Sequence, residues 1–268
     1  MNLPHDYHTH TNFSCDCRFS MREMCASARA QNLPELGITE HYDLHPLEAC
    51  RNWFRLDEWA AELARCRRFY AGRLTLRAGI ELGEPHIFQK ERQAMLARYP
   101  FDYCLGSLHY VGDHNLFDDN FYQSRTPAEA FRLFFEELER MTASGGFDIL
   151  SHFDLPARRA LPVYGRYDPR EHEDCIRPVL KNCVERGIAL DINTALLRKL
   201  PNGVLTPGVE ILRWYKEMGG ERITLGSDSH QPENIAAHLD VALAAAKEAG
   251  LKYVTMFEQR QAKLVPIQ

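Results

Sequence analysis

Asp6-Tyr7-His8-Thr9-His10-Thr11, followed by Asn12-Phe13-Ser14-Cys15-Asp16, is the stretch on which the reading of this chain turns. The second part breaks any helical or strand pattern, so a strand is expected to end within the first. Side chains on a strand alternate with period two, which puts His8 and His10 on one face within reach of a common cation. A His-x-His pair alone is weak, because two polar residues at a frayed strand end have the same spelling. Its weight comes from what recurs downstream.

Leu36-Gly37-Ile38-Thr39-Glu40-His41 reads as a short buried strand tipped by His41. The same pattern follows four more times. Leu74 to Ile80 delivers Glu81, Phe101 to Leu108 runs out at His109, Phe147 to Ser151 ends in His152, and the run from Ile223 places Asp228 and His230 on one face. Ile188 to Asn193 and Tyr253 to Phe257 read as further strands. Helical spacing or helix formers fill the intervals 21–31, 56–70, 86–99, 171–186 and 231–249. Thr126-Pro127-Ala128-Glu129 supplies an N-cap, a Pro at the first helical position and a capping-box Glu, and Thr206-Pro207 is read as opening a helix the same way. Tyr110 to Ser124 is a long polar loop, expected as a lid over a site. Leu155 to Arg170 is expected as a loop whose Arg158, Arg159, Arg166 and Arg170 suit an anion.

Strands that alternate with helices specify a parallel sheet, either closed into a barrel or doubly wound. The closed α/β barrel is favoured, because its C-terminal strand ends converge on one mouth where ligands from the first and last strands meet. The length of 268 residues fits one such domain over 1–268. A net charge of −5 lacks the basic footprint of a nucleic-acid binder. Apolar runs are too short to span a membrane, and Met1-Asn2-Leu3-Pro4 has neither the charge nor the apolar core of an export signal, so a cytoplasmic location is expected. The eight cysteines are scattered singly and are expected as free thiols.

Collected from strand tips and the first loop, His8, His10, Asp16, His41, Glu81, His109, His152, Asp228 and His230 exceed the donors of one ion. Two or three divalent ions (zinc, manganese or iron) are implied, with Glu81 or Asp228 able to bridge. Closely held cations acidify water and so hydrolyse esters. No Walker-type loop, Gly-x-Ser-x-Gly elbow or dinucleotide fingerprint competes. His5, His45, His86, His114, His172 and His238 are expected at the surface, and Arg159, Arg166 and Arg170 at the surface or in salt bridges. Asp154 and Asp191 are candidates for orienting imidazoles.

His8-Thr9-His10, Thr39-Glu40-His41, Glu81, Ser107-Leu108-His109, Ser151-His152 and Asp228-Ser229-His230 resemble, in order and spacing, the successive motifs of the polymerase and histidinol phosphatase (PHP) family. The resemblance implies a distorted, seven-stranded (β/α) barrel with a trinuclear metal site that hydrolyses phosphoesters. By the same resemblance, His8, His10, Glu81 and Asp228 hold a first metal; Glu81, His109 and His152 a second; Asp16, His41 and His230 a third. At the third site an Asp stands where many relatives have His. Arg158 and Arg198 resemble the family's phosphate-contacting arginines, and the nearest branch is the histidinol-phosphate phosphatases. The implied reaction converts L-histidinol phosphate to L-histidinol and phosphate in histidine biosynthesis. The alternatives are another small phosphate ester, or a metal-binding domain without catalysis, like some relatives attached to polymerases.

Overall fold

In the computed structural model, which describes residues 3–267, six strands form one parallel sheet: β1 (Glu35–Tyr42), β2 (Thr75–Gly83), β3 (Leu105–Ser107), β4 (Ile149–Leu150), β5 (Ala189–Asn193) and β6 (Ile223–Gly226). They are ordered as in the sequence, each pairing in parallel with the next. Met1, Asn2 and Gln268, the ends of the unit expected over 1–268, lie outside the described residues, and the expected absence of an export signal falls partly on them.

The opening segment closes the ring. Asp6 bridges Leu36 of β1, and Thr9 bridges Ser229 just beyond β6. The Tyr7 and His10 amides donate to the Leu225 and Ser229 carbonyls, both at 2.9 Å, while the Gly37 and Thr39 amides donate to the Asp6 and Thr9 carbonyls, both at 2.8 Å. The segment is irregular where a continuous strand was expected, because Tyr7 and His8 both turn backbone groups towards the β6 side and so break the usual alternation. The α/β barrel expectation holds: six paired strands and this seventh segment.

The barrel interior is packed with side chains. Tyr7 stacks on Tyr103 with ring centroids 4.7 Å apart, over Leu105, Ile149, Ala189 and Phe257. Gly37 and Gly79 are required there, since a Cβ at either would strike the Tyr103 ring. Phe257 enters from an antiparallel hairpin, Tyr253–Glu258 paired with Gln261–Pro266, which is a separate sheet rather than another barrel strand.

Helices cover the outside. Leu56–Tyr70 buries Leu56, Trp59, Leu63, Cys66 and Tyr70, the face its spacing called for. Pro127–Ser144 begins with the capping box of Thr126 and Glu129. Other readings are corrected. Thr206 pairs with Asn193 instead of capping, and the helix begins at Val209 after Gly208. Ala157–Tyr164 is a helix within the expected loop, disguised by Pro162, which removes one amide from its ladder. The strand expected to run to His109 pairs only over Leu105–Ser107, and the expected lid folds into a small hairpin, Tyr110–Val111 with His114–Asn115, and a helix, Asp119–Gln123.

Two further expectations fail, one on burial and one on a covalent bond. His5, His45 and His172 are buried rather than exposed. Cys15 and Cys50 are joined by a disulfide, and the other six cysteines are free. His5 lies under the Tyr7 ring, with centroids 4.0 Å apart, and its Nε2 accepts the Leu225 amide at 3.1 Å. Burial holds the imidazole down to about 3, so it stays neutral when the unfolded chain has taken up a proton. Below the ordinary value of 6.5 the unfolded state therefore binds the extra proton, and stability falls as pH falls. The expected slope from this one group is about 1.4 kcal/mol per pH unit. Urea unfolding of the wild type and His5→Gln between about pH 7 and pH 4 checks it; equal slopes would refute the assignment.

Candidate metal centre

All the expected donors stand at the C-terminal mouth of the barrel. His8 and His10 come from the closing segment, His41 and Glu81 face each other across the β1–β2 register, His109 and His152 follow β3 and β4, and Asp228 and His230 follow β6. Asp16 reaches in from the first loop. The left-handed backbone of Asp228, with φ 51°, is costly for a side chain other than Gly and turns its carboxylate towards the cluster.

Glu81 lies at the centre, fully buried. Its Oε2 is 3.3 Å from His8 Nε2, 3.5 Å from His10 Nε2 and 3.1 Å from His41 Nδ1. Its Oε1 is 3.4 Å from His109 Nε2 and 3.1 Å from His152 Nε2, and accepts the Ser107 hydroxyl at 2.7 Å. Asp228 Oδ1 is 3.6 Å from His10 Nε2 and 3.5 Å from His230 Nδ1. Asp16 Oδ2 is 2.9 Å from His230 Nε2 and 3.6 Å from His41 Nε2. The structure thus brings all nine together.

Burial works against charge here, yet the neighbouring imidazoles, His41 and His8 foremost, hold the Glu81 carboxyl well below its usual range. His10 is held well below the ordinary imidazole value by burial and by His230 and His41. It is neutral, with a free lone pair. His10 Nε2, His41 Nδ1 and His230 Nε2 are buried, and although carboxylate oxygens stand 3.5, 3.1 and 2.9 Å away, none of the three makes a hydrogen bond of good geometry among the described residues. One carboxylate cannot satisfy five imidazoles, and a buried polar atom left unpaired costs about 1–3 kcal/mol. A cation accepts those lone pairs, so the donor set fits divalent metal ions. Four overlapping triads have donor atoms within 4.8 Å of one another: His10, His41 and His230; His8, Glu81 and His152; His8, His10 and Asp228; His41, Glu81 and His109.

A second ring of side chains fixes the imidazoles. Asp191 Oδ2 is 3.0 Å from His8 Nδ1, Asp43 Oδ1 is 3.3 Å from His109 Nδ1, and Ser14 Oγ is 3.1 Å from His10 Nδ1. Such contacts set the tautomer that turns the other nitrogen inward. Ser14 and Asp43 went unread in the sequence, although Asp43 follows His41 by two positions, the spacing that singled out His10. Among the described residues Asp154 makes no hydrogen bond or ion pair to an imidazole. It is buried beside Tyr167, and burial pushes its carboxyl up to about 7.

Above the cluster opens a cavity of about 460 Å³, lined by Asp16, Glu48, Cys50, Asn115, Phe117, Arg158, Arg198 and Lys199 among others. A larger one of about 600 Å³ lies elsewhere, between Leu33, Leu243, Val254 and Val265, but no titratable side chain among the described residues lines it. Chemistry therefore belongs to the smaller. The Arg158 guanidinium lies 4.9 Å from the centre of the Phe117 ring, and Arg198 donates to the Ser227 carbonyl at 2.6 Å. Among the described residues neither arginine has a carboxylate within ion-pairing distance, whereas Arg159, Arg166 and Arg170 pair with Asp119, Glu171 and Asp168. Lys199, also unread in the sequence, places Nζ 3.6 Å from Asp228 Oδ2. Two half-buried guanidiniums thus face the cavity with their charge not neutralised by an acidic partner among the described residues.

Comparison with known proteins agrees with this geometry. The PHP domain profile matches residues 6–195. A probable histidinol-phosphatase of Clostridium acetobutylicum is 32% identical over 96% of this chain and 98% of its own. The histidinol-phosphatase of Lactococcus lactis is 27% identical over 94% of this chain and 93% of its own. The crystal structure of histidinol phosphate phosphatase from Lactococcus lactis, complexed with zinc, L-histidinol and phosphate, superposes with a TM-score of 0.88 at 25% identity, covering 97% of this chain and 98% of that one. Matched over most of its length in sequence and in fold, the chain belongs to the PHP domain family, on its histidinol-phosphatase branch.

Proposed function

We propose that this protein hydrolyses L-histidinol phosphate to L-histidinol and phosphate. The observation that carries it is the pair of arginines, Arg158 and Arg198, with no carboxylate partner among the described residues, above a carboxylate ringed by five imidazoles. The relatives' names supply the leaving group. Two to three divalent ions, zinc, manganese or iron, suit the donors: His8, His10, Glu81 and Asp228 for one; Glu81, His109 and His152 for another; Asp16, His41 and His230 for a third. When bound, such ions neutralise phosphoryl oxygens and acidify water.

The chain's own residues do the rest. Arg158 and Arg198 present planar, bidentate donors to the phosphate dianion and hold it over the cluster. The Phe117 ring braces Arg158, and the Ser227 carbonyl braces Arg198, so both guanidiniums are set before the ester arrives. Asp191, Asp43 and Ser14 keep the imidazole lone pairs turned inward. The whole chain works as one catalytic unit on a small cytoplasmic phosphate ester.

A panel of phosphate esters tests the substrate: kcat/KM for histidinol phosphate is expected to exceed that for an aryl phosphate, and parity would refute the proposal. Asp16→Ala tests the third ion. Asp16 is half exposed, on a loop, and contacts only His41 and His230 of the donors. The variant is expected to fold, to retain about two ions and to lose most activity, because a three-donor site rarely survives the loss of one. Full metal content with full turnover would remove Asp16 from the site.

A further inference from the structure

We propose that Cys15 and Cys50 form a redox-modification site at the mouth of the metal cavity, with a dithiol or disulfide of the thiol-exchange class as co-reactant. The proposal rests on the reading of Asp16 as a donor to the third ion. The two Cα atoms are 5.6 Å apart, within the span a disulfide closes without moving the backbone, and the sulfurs are bonded. The six remaining cysteines are buried. Cys15 and Cys50 are each partly exposed, and Cys50 stands in the cavity wall. This pair is therefore the one open to an exchange partner, and accessible disulfides are the labile ones.

The bond ties two pieces of the site together. On one side, Cys15 immediately precedes Asp16, whose carboxylate contacts His230 and His41. On the other, Cys50 belongs to the loop between β1 and the helix Leu56–Tyr70, which carries Asp43 and Glu48 into the same cavity. The loop's tip, residues 46–53, is held internally by short turns, Arg51 amide to Glu48 carbonyl at 3.2 Å and Trp53 amide to Cys50 carbonyl at 3.0 Å. Outward, the tip is anchored by the Tyr110 hydroxyl, which donates to Glu48 Oε2 at 3.2 Å, and by the disulfide. Leu47 and Trp53 on it are 60% and 47% exposed, so little apolar burial replaces the covalent tie once it is cut.

A thiolate of the dithiol attacks Cys50 Sγ, the Cys15–Cys50 bond breaks, and Cys15 leaves as a thiolate that takes up a proton. The second thiol then displaces Cys50 from the mixed disulfide, so two electrons and two protons reach the protein and the dithiol becomes a disulfide. Reoxidation is the reverse, with a disulfide as acceptor. Reduction frees the 46–53 tip from the Asp16 turn, which loosens the wall of the cavity and the hold of Asp16 on its site.

The experiment uses the full chain with its metals, poised either with oxidised glutathione or with a phosphine reductant. Alkylation after denaturation, read by mass spectrometry, is expected to label six cysteines in the first state and all eight in the second. Metal analysis is expected to show a loss of about one ion per chain on reduction, together with a several-fold fall in kcat/KM. Cys50→Ser is expected to behave as the reduced protein in both states, which also separates the disulfide from any effect of the reductant on the metals. If all eight cysteines are alkylated after oxidised glutathione, or if metal content and kcat/KM are the same in both states, the proposal is overturned. If Asp16→Ala keeps its metal and activity, the reading of Asp16 falls instead, and the thiol counts do not depend on it.

Discussion

Glu81→Gln is expected to abolish turnover and empty the metal centre while leaving the barrel folded. The substitution keeps the volume and removes the charge from the group that touches His8, His10, His41, His109 and His152. Losing a group that merely supports one ion's donor typically costs 10- to 100-fold, so a carboxylate shared by two ion sites should cost on the order of 1,000-fold or more. The fold should survive, because His8, His41 and His109 can give up protons and the amide still accepts the Ser107 hydroxyl. Metal content by mass spectrometry, circular dichroism and turnover, measured on one preparation, decide it. A variant with wild-type metal content and near wild-type turnover would mean that Glu81 is not the shared ligand.

The second large effect is on the phosphate. Arg198→Ala should raise KM and lower kcat with metal content unchanged, since the side chain bonds to the Ser227 carbonyl and the Thr194 hydroxyl and to none of the nine donors. Removing one preorganised donor to a charged transition state costs about 100- to 1,000-fold. Lys should rescue only part of this, because a point charge cannot offer two parallel N–H groups. The same argument covers Arg158, and the two losses should combine non-additively if both guanidiniums grip one phosphate. Inorganic phosphate as a competitive inhibitor gives an independent readout: its inhibition constant should rise in each variant. Kinetics and phosphate inhibition like those of the wild type would take Arg198 off the rim.

Much of the mouth was legible because a parallel barrel repeats one local rule. Each apolar run ends at the same rim, so His41, Glu81, His109, His152 and Asp228 announce themselves as ligand-type residues at or just beyond the end of a strand. What the rule misses is whatever approaches sideways. Ser14 reaches His10 from a turn, and Lys199 reaches Asp228 from the helix Ala195–Lys199; neither has a period that marks it. His5 was misplaced for a related reason. It sits in a segment too short for burial to show as a pattern, and only the closed ring reveals the Tyr7 ring above it. The helix Ala157–Tyr164 was hidden by Pro162, and the Cys15–Cys50 link by a sequence separation of 35.

The irregular segment that closes the ring also sets an order of events for a newly made chain. His8 and His10 leave the ribosome before the β6 edge on which their segment docks, which is made only after some two hundred further residues. Until then both rims of the sheet are open, and contacts between residues this far apart in sequence form late. The last seam to be sewn is therefore the one that assembles the donors. A chain stalled before Asp228 and His230 lacks that seam, so capture of a full set of metal ions is a property of the finished barrel and a natural mark by which completed molecules differ from fragments.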